Sequence, residues 1–252
     1  MAEQKGEKPV EKIKGDVQQA ARAESASAPL RRYRAVLFQG ALLLIAIAFG
    51  VLTFLVKTTP SFAIDLRITR SIQLINFPSF SLLMSLISWA GFGPQVTIIT
   101  GLIVLLIYIL GLQWEAMMAL IAALFSTAIN VLVKDLIGRP RPTADLVNVV
   151  ARLHDYSFPS GHVMYYLGFL GFIWFLVFSL LKPSFKRSLL LVIIGIPIVL
   201  IGVSRIYLGE HWASDVLGSY LLGSLTLVAI IQIYRWGKTR FFVHQPVAAA
   251  PQ

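Results

Sequence analysis

The chain has 252 residues, of which 57% are hydrophobic and only 13% charged, and its mean hydropathy is +0.76. Soluble domains carry about a quarter of charged residues, so this composition indicates a polytopic membrane protein. The absence of cysteine excludes disulfides, a thiolate nucleophile and Cys-ligated metal sites. The net charge of +10 comes from cations that flank apolar segments, with no nucleic-acid-binding module, so nucleic acid is not expected as a partner.

The two ends of the chain differ in composition from the apolar middle. Residues 1–30 are polar, small and of mixed charge, and they lack the apolar core and cleavage pattern of a signal peptide. Such a segment cannot bury enough apolar area to fold alone, so it is predicted to be a disordered cytoplasmic tail. A membrane domain is expected over residues 31–240, followed by a short cytoplasmic tail over 241–252.

Six apolar segments approach the length of about 20 residues that a helix needs to cross a bilayer. They are residues 35–56, 94–110, 114–133, 163–181, 188–203 and 215–234. The sequence therefore predicts an all-α membrane protein with six transmembrane helices. Gly195 and Pro197 predict a kink in the fifth helix.

The segment between the first two spans is ambiguous. Residues 65–74 are amphipathic and fit a helix lying along the membrane surface. The apolar run 80–90 is too short to span and ends at the helix-breaking sequence Gly-Phe-Gly-Pro, residues 91–94. It is either a re-entrant segment or the upper part of a bent second span.

The distribution of cations predicts the orientation of the helices. Three groups lie on one side of the predicted spans: Arg31, Arg32 and Arg34; Lys182, Lys186 and Arg187; and Arg235, Lys238 and Arg240. By the positive-inside rule this side, with both termini, is cytoplasmic. A second set lies on the opposite side against that rule: Lys134, Arg139, Arg141, Arg152 and Arg205. Binding of an anion is the simplest reason for cations there.

Three fragments on this outer side carry the chemistry: 134–142 (KDLIGRPRP), 159–162 (PSGH) and 204–215 (SRIYLGEHWASD). Together they supply cations, two histidines and a carboxylate. Phosphoryl transfer depends mainly on positioning and on stabilising charge at the phosphate oxygens, and these residue types suit it. The fragments predict an active site at the extracytoplasmic edge of the membrane.

Each fragment also has a simpler interpretation when it is taken alone. Lys134 and Arg141 either bind phosphate or extend to the interface, and Gly138 breaks the helix between them. The segment at Ser160 either presents free backbone N–H groups to an anion or is an ordinary helix cap. His211 lies four residues before Asp215, which makes either an oriented imidazole or a plain ion pair.

The roles of other polar and aromatic residues near the fragments are left open by the sequence. Asp145, His154 and Asp155 are predicted to be solvated loop residues, with contact to a lipid headgroup as the alternative. Glu210 is predicted to be exposed, with tuning of His211 as the alternative. Interfacial positions are predicted for Tyr165, Tyr166 and Trp212. Close helix packing is predicted for Ser219 and Gly223.

The three fragments together resemble the type 2 phosphatidic acid phosphatase superfamily, which includes lipid phosphate phosphatases and, more distantly, vanadium haloperoxidases. The family pattern is a Lys, six residues and Arg-Pro; then Pro-Ser-Gly-His; then Ser-Arg, five residues, His, three residues and Asp. The chain matches it at every position, from Lys134 to Asp215.

The resemblance implies a role for each signature residue. His211 is expected to be the nucleophile that forms a phosphohistidine, with Asp215 orienting it and His162 as general acid. The phosphate oxygens are expected to be held by Lys134, Arg141, Ser160, the backbone N–H of Gly161 and Arg205. No metal and no other cofactor is implied.

The expected function is hydrolysis of a membrane lipid phosphate, and the family supplies three candidate substrates: undecaprenyl diphosphate, phosphatidic acid and phosphatidylglycerol phosphate. No Asn-x-Ser/Thr acceptor occurs in the chain, which favours a bacterial cell membrane enzyme and hence undecaprenyl diphosphate. Two alternatives are a phosphotransferase using the same phosphohistidine and a non-catalytic lipid-binding or transport protein. The sequence does not predict the oligomeric state.

Overall fold

The computed structural model describes residues 28–151 and 153–241, and these contain helices and no β-strand. The helices are α1 (Ala28–Thr58), α2 (Ala63–Gln73), α3 (Pro78–Trp89), α4 (Gly93–Ile109), α5 (Gln113–Ile137), α6 (Gly161–Leu180), α7 (Phe185–Tyr207) and α8 (Ala213–Phe241). Within α6, residues Tyr166–Leu170 form a π-helical turn. The prediction of an all-α membrane protein is confirmed.

Among the described residues, five helices are long and apolar enough to cross a membrane, namely α1, α5, α6, α7 and α8. Helices α3 and α4 meet this criterion only together, and they are bent by 69° at the break between them. The predicted second span, 94–110, thus corresponds to α4, and the apolar run 80–90 corresponds to α3, the other helix of the bent pair. With that pair counted as one broken span, the number of spans is six.

The contacts divide the chain after Leu44 into two compact units. The described part of the first unit is the beginning of α1, which starts at Ala28, inside the segment predicted as a tail. The rest of that tail, residues 1–27, lies outside the described residues, as do 242–252. The second unit contains the remainder of the fold, and α8 continues to Phe241, so Arg235, Lys238 and Arg240 lie within its last turns.

The core of the second unit lies between α5, α6 and α8. Small residues of α5, including Ala119 and Ala122, are fully buried and face the aromatic rings of Phe169 and Phe172. Helices in a membrane gain little from hydrophobic burial, because lipid is as apolar as the core, so close packing of small against large side chains holds them together. Most large apolar residues outside this core are exposed, as expected for a surface that faces lipid.

One polar cluster marks the end of the bundle opposite to the catalytic fragments. Glu115, at the start of α5, is buried and accepts a hydrogen bond from Tyr234 of α8 at 3.0 Å. It also pairs with Lys238 of α8. Because α5 ends and α8 begins beside the fragments, this pair lies at the far end.

Helix α2 covers most of the predicted amphipathic segment, and part of its polar side faces the protein while Arg67 and Arg70 are exposed. Asp65 and Thr69 are buried. Arg70 donates to the carbonyl oxygen of Leu146 at 3.0 Å, and Gln73 donates to that of Asn148 at 2.7 Å. The helix therefore braces the loop that follows α5.

Candidate active site

The first fragment, residues 134–142, begins in the last turn of α5 and continues into the loop that follows this helix. The helix ends at Ile137, and Gly138 adopts a left-handed conformation with φ 70° that a residue with a side chain rarely adopts. Lys134 and Arg141 are therefore not on one helical face. They come together because the loop folds back, and the two side chains contact one carboxylate, that of Asp155, at 2.5 and 2.7 Å.

Asp155 lies in a loop and is exposed, as predicted, but it also pairs with two cations of the site. Its carboxylate is about half exposed, yet both of its oxygens pair with cations. Partial burial favours the neutral form, but the hydrogen bond and charge of Lys134, together with Arg141, outweigh it and lower the pKa of Asp155 to about 2. The carboxylate is thus ionised at neutral pH and holds the two cations beside each other.

The second fragment places Ser160 immediately before α6. Its side chain is fully buried, makes no capping bond, and its Oγ has no hydrogen-bond partner among the described residues. The helix-cap interpretation therefore does not describe it. Its backbone N–H donates to Oγ of Ser219 at 2.6 Å, so Ser219 has a polar role as well as the predicted packing role. The N–H of Gly161, in the first turn, has no acceptor within the helix.

His162 lies against the bend between α3 and α4. Its Nε2 donates to the carbonyl oxygen of Ser88 at 3.2 Å, and its ring meets Phe92 edge-on with centroids 4.7 Å apart. Gly91 is so close to the imidazole that a side-chain carbon there would overlap the ring. The Gly-Phe-Gly sequence that breaks the span thus makes room for His162.

The third fragment places His211 in the short connection between α7 and α8. Its Nδ1 lies 3.6 Å from Oδ2 of Asp215 and 3.5 Å from Oγ of Ser157. Its Nε2 lies 3.1 Å from an amino nitrogen of Arg141. Because a guanidinium can only donate, Nε2 is the acceptor and Nδ1 carries the proton.

The environment of His211 keeps the imidazole neutral. Burial, with the charges of Arg141, Arg205 and Lys134, holds the pKa of His211 well below its ordinary value. A neutral ring with its proton on Nδ1 has an unprotonated electron pair on Nε2, which accepts the hydrogen bond from Arg141. That is the protonation state that a nitrogen nucleophile requires.

Arg205 is fully buried near the end of α7. It pairs with Glu210 and donates to Oγ of Ser88, and its guanidinium lies 5.3 Å from the centre of the Phe92 ring. Glu210 is only 2% exposed, so its predicted exposed position is wrong. The carboxylate compensates a cation whose burial would otherwise be unfavourable.

Two residues that contact Asp215 were not predicted as part of the site. Ser157 donates to Oδ2 of Asp215 at 2.5 Å, and Arg139 donates to Oδ1 at 2.5 Å. Arg139 lies two residues before Arg141 in the sequence Gly-Arg-Pro-Arg-Pro, and only the spacing of six residues from Lys134 distinguishes the arginine that lines the cavity from Arg139.

One cavity of 340 Å³ joins the three fragments. Six of the predicted site residues line it: Lys134, Arg141, Gly161, His162, Arg205 and His211. Ser160 and Asp215 are buried behind the wall of this cavity. Asp155 and Tyr165 also line it, whereas Val96 and Leu153 give part of the wall an apolar character.

The aromatic residues predicted for the membrane interface are turned into the protein. Tyr165 lines the cavity and its hydroxyl is 2.7 Å from that of Thr100. Tyr166 is buried and donates to the carbonyl oxygen of Ile87 at 2.6 Å. Trp212 is 2% exposed and donates to the carbonyl oxygen of Pro140 at 3.2 Å.

The remaining outer-side residues lie apart from this cavity. Asp145 and His154 are exposed, as predicted, and line a separate cavity of 520 Å³ in the loop after α5. Arg152 lies outside the described residues. Within 28–151 and 153–241, no group of three or more His, Asp or Glu side chains is arranged to hold a metal ion.

The comparisons with known proteins agree with one another. The model of the PAP2 superfamily matches residues 115–238. Phosphatidylglycerophosphatase B of Bacillus subtilis is 30% identical over 178 residues, which cover 70% of this chain and 86% of the relative. Undecaprenyl-diphosphatase of Sulfolobus acidocaldarius is 39% identical over 83 residues, which cover 33% of this chain and 36% of that relative.

Two solved structures share the fold. The transmembrane PAP2-type phosphatidylglycerolphosphate phosphatase of Bacillus subtilis has a TM-score of 0.69 and 26% identity, covering 79% of this chain and 98% of its own. LpxE of Aquifex aeolicus has a TM-score of 0.56, covering 69% of this chain and 98% of its own. At 22% identity, the second likeness concerns the fold alone.

Proposed function

Because the chain belongs to the PAP2 superfamily and is a membrane lipid phosphate phosphatase of that kind, we propose that it hydrolyses its substrate through a phosphohistidine at His211. The observation that supports this proposal is the contacts of the two imidazole nitrogens of His211. Its Nδ1 faces Asp215 and Ser157, and its Nε2 faces Arg141 in a cavity lined by cations.

In the first step, Nε2 of His211 attacks the phosphorus atom, and the bond from phosphorus to the lipid oxygen breaks. Charge on the phosphoryl oxygens is stabilised by Lys134, Arg141 and Arg205, which line the cavity. The N–H of Gly161 completes this cradle, whereas the hydroxyl of Ser160 is fully buried and does not line the cavity. Asp215 keeps the proton on Nδ1 and stabilises the positive charge that develops on the ring.

His162 acts on the leaving group. It lines the same cavity as His211, and its Nε2 is engaged by the carbonyl oxygen of Ser88, so the proton is exchanged at Nδ1. The protonated ring donates to the departing lipid oxygen. The neutral ring then takes a proton from water as that water attacks phosphorus, the bond to His211 breaks, and phosphate is released.

The substrate that we propose first is phosphatidylglycerol phosphate, because the more extensive of the two similarities is to a phosphatidylglycerophosphatase. This departs from the sequence-based preference for undecaprenyl diphosphate, which the shorter match supports as a second candidate. Both are lipids whose phosphate lies at the headgroup plane while the chains stay in the bilayer.

Purified protein in detergent is expected to release phosphate from phosphatidylglycerol phosphate faster than from undecaprenyl diphosphate or phosphatidic acid. Phosphate release against the three lipids measures this, with EDTA added in a parallel series. We expect EDTA to leave the rate unchanged, since the proposed steps use only groups of the protein and water. Transfer of label to an acceptor other than water would favour a phosphotransferase, and absence of turnover on all three lipids would favour a binding or transport protein.

The site is proposed to face the extracytoplasmic side, since Lys182 and Lys186 lie in or beside the connection at the other end of α6 and α7. The chain contains no cysteine, so a single introduced thiol reports on one position. Asp145→Cys and Lys182→Cys both replace exposed residues, one at each end. In intact cells a membrane-impermeant maleimide is expected to label the first and not the second, and the reverse pattern would overturn the orientation.

A further inference from the structure

A buried chain of charges extends from the proposed catalytic pair to helix α2. Arg139 is completely buried and bridges two carboxylates, donating to Oδ1 of Asp215 at 2.5 Å and to Oδ2 of Asp65 at 2.8 Å. Its Nε donates to the carbonyl oxygen of Pro60 at 2.9 Å. Asp65 is 1% exposed and lies outside residues 115–238, the part that the superfamily model matches.

Asp65 also holds the first turn of α8. It accepts a hydrogen bond from the backbone N–H of Ser214 at 2.8 Å and another from the hydroxyl of Ser214 at 2.6 Å. The first N–H groups of a helix have no acceptor within it, and a carboxylate there is favourable because the helix dipole is positive at this end. Asp65 therefore caps α8 from another helix, one residue before Asp215.

The charges along this chain alternate, from Asp65 through Arg139 to Asp215, and the carboxylate of Asp215 faces the neutral ring of His211. If Asp65 lost its charge, the amino group of Arg139 that binds Asp65 would no longer have an anionic partner in this buried site. A guanidinium prefers to bind one carboxylate through two parallel bonds, so Arg139 would then engage Asp215 more fully. Asp215 would then have less negative charge to offer to the Nδ1 proton of His211.

From this arrangement we propose that Asp65 and Arg139 form a positioning pair that sets the orientation and charge of Asp215, and so tie helix α2 to the reaction. The pair touches neither substrate nor the reacting atoms. It acts through Asp215, and it rests on the proposed role of His211 as nucleophile.

Asp65→Asn tests the pair, because the amide keeps the shape and one acceptor but removes the charge. With full-length protein and a lipid phosphate substrate, kcat is expected to fall by about a hundredfold, as small displacements of catalytic groups do, with KM within about threefold of wild type. Nitrogen-15 NMR of the histidines, with the His211 signal assigned through His211→Asn, is expected to show loss of the pure Nδ1–H tautomer.

The matched control is Asp145→Asn, which removes an exposed carboxylate that lies apart from the catalytic cavity and is expected to leave kcat and the tautomer unchanged. If Asp65→Asn does not fold, Ser214→Ala removes the hydroxyl shared by Asp65 and Arg139 and is expected to lower kcat about tenfold. If Asp65 has only a structural role, Asp65→Asn will lower the melting temperature, while kcat per folded molecule and the tautomer of His211 stay as in wild type. That result would overturn the proposal.

The two readouts separate this inference from the proposed function. If Asp65→Asn changes the tautomer of His211 but the wild-type protein releases no phosphate, the positioning pair is supported and the proposed activity is refuted. Normal phosphate release that requires His211 but is indifferent to Asp65→Asn and Ser214→Ala refutes the pair and leaves the activity in place.

Discussion

His211→Ala is expected to reduce phosphate release from a lipid phosphate by at least about a thousandfold, the scale seen when a nucleophile that acts as part of a catalytic unit is removed. The reason is that neither His162 nor the cations can replace a nitrogen nucleophile whose electron pair already faces the phosphate cradle. The measurement is kcat of purified protein in detergent, with folding checked by the melting temperature.

The matched control is His154→Ala, since His154 is an exposed histidine in the loop after α5 and does not line the catalytic cavity. It is expected to retain activity within about twofold, as surface substitutions generally have small effects. A similar loss in both variants would mean that the assay reports general damage to the protein.

The covalent step has its own signature. With lipid labelled at phosphorus, rapid quenching in base is expected to trap label on the wild-type protein, because phosphohistidine survives base and is lost in acid. No label is expected on His211→Ala. Persistent turnover by His211→Ala, or label that survives acid, would contradict the phosphohistidine at this residue.

The spans could be predicted from the sequence because hydropathy and length directly reflect the thickness of the bilayer. The bend between α3 and α4 could not be predicted to the same degree. Residues 91–94 predict a break in the helix, but the angle between α3 and α4 depends on the side chains that pack against the break. Here the ring of His162 packs against Gly91, and His162 lies 71 positions after Gly91 along the chain. Sequence patterns carry no information on such contacts.

The residues of the cavity could be predicted because their types and spacing are those of a phosphate-handling motif. Their partners could not, because each comes from a distant part of the chain and has an ordinary local sequence. The local sequence indicates only that Asp65 is a polar residue of an amphipathic helix and that Glu210 is an acidic residue of a loop. Only the fold shows that these carboxylates compensate Arg139 and Arg205, cations whose burial would otherwise be strongly unfavourable.

Removal of the proposed general acid is expected to have an effect that depends on the leaving group. With a phosphomonoester, whose leaving group is a strongly basic alkoxide, His162→Ala is expected to lower the rate of the first step, the phosphorylation of His211, by about a thousandfold, within the range typical of general acid catalysis. With a diphosphate, the group that departs is a lipid monophosphate, which is a much weaker base and needs little protonation. The loss is therefore expected to be tenfold or less.

The comparison measures the rate at which label appears on the protein in a single turnover of phosphatidylglycerol phosphate or undecaprenyl diphosphate, because the later attack of water does not involve the leaving group, and His211→Ala is its control. A nucleophile is needed whatever leaves, so His211→Ala should lose activity equally on both lipids, whereas the loss for His162→Ala should differ by about two orders of magnitude. Equal losses for His162→Ala would mean that it holds the phosphate rather than donating a proton, and would leave protonation of the lipid oxygen to water. The ratio thus tests the role of His162 separately from that of His211, because only proton donation responds to the basicity of the departing oxygen.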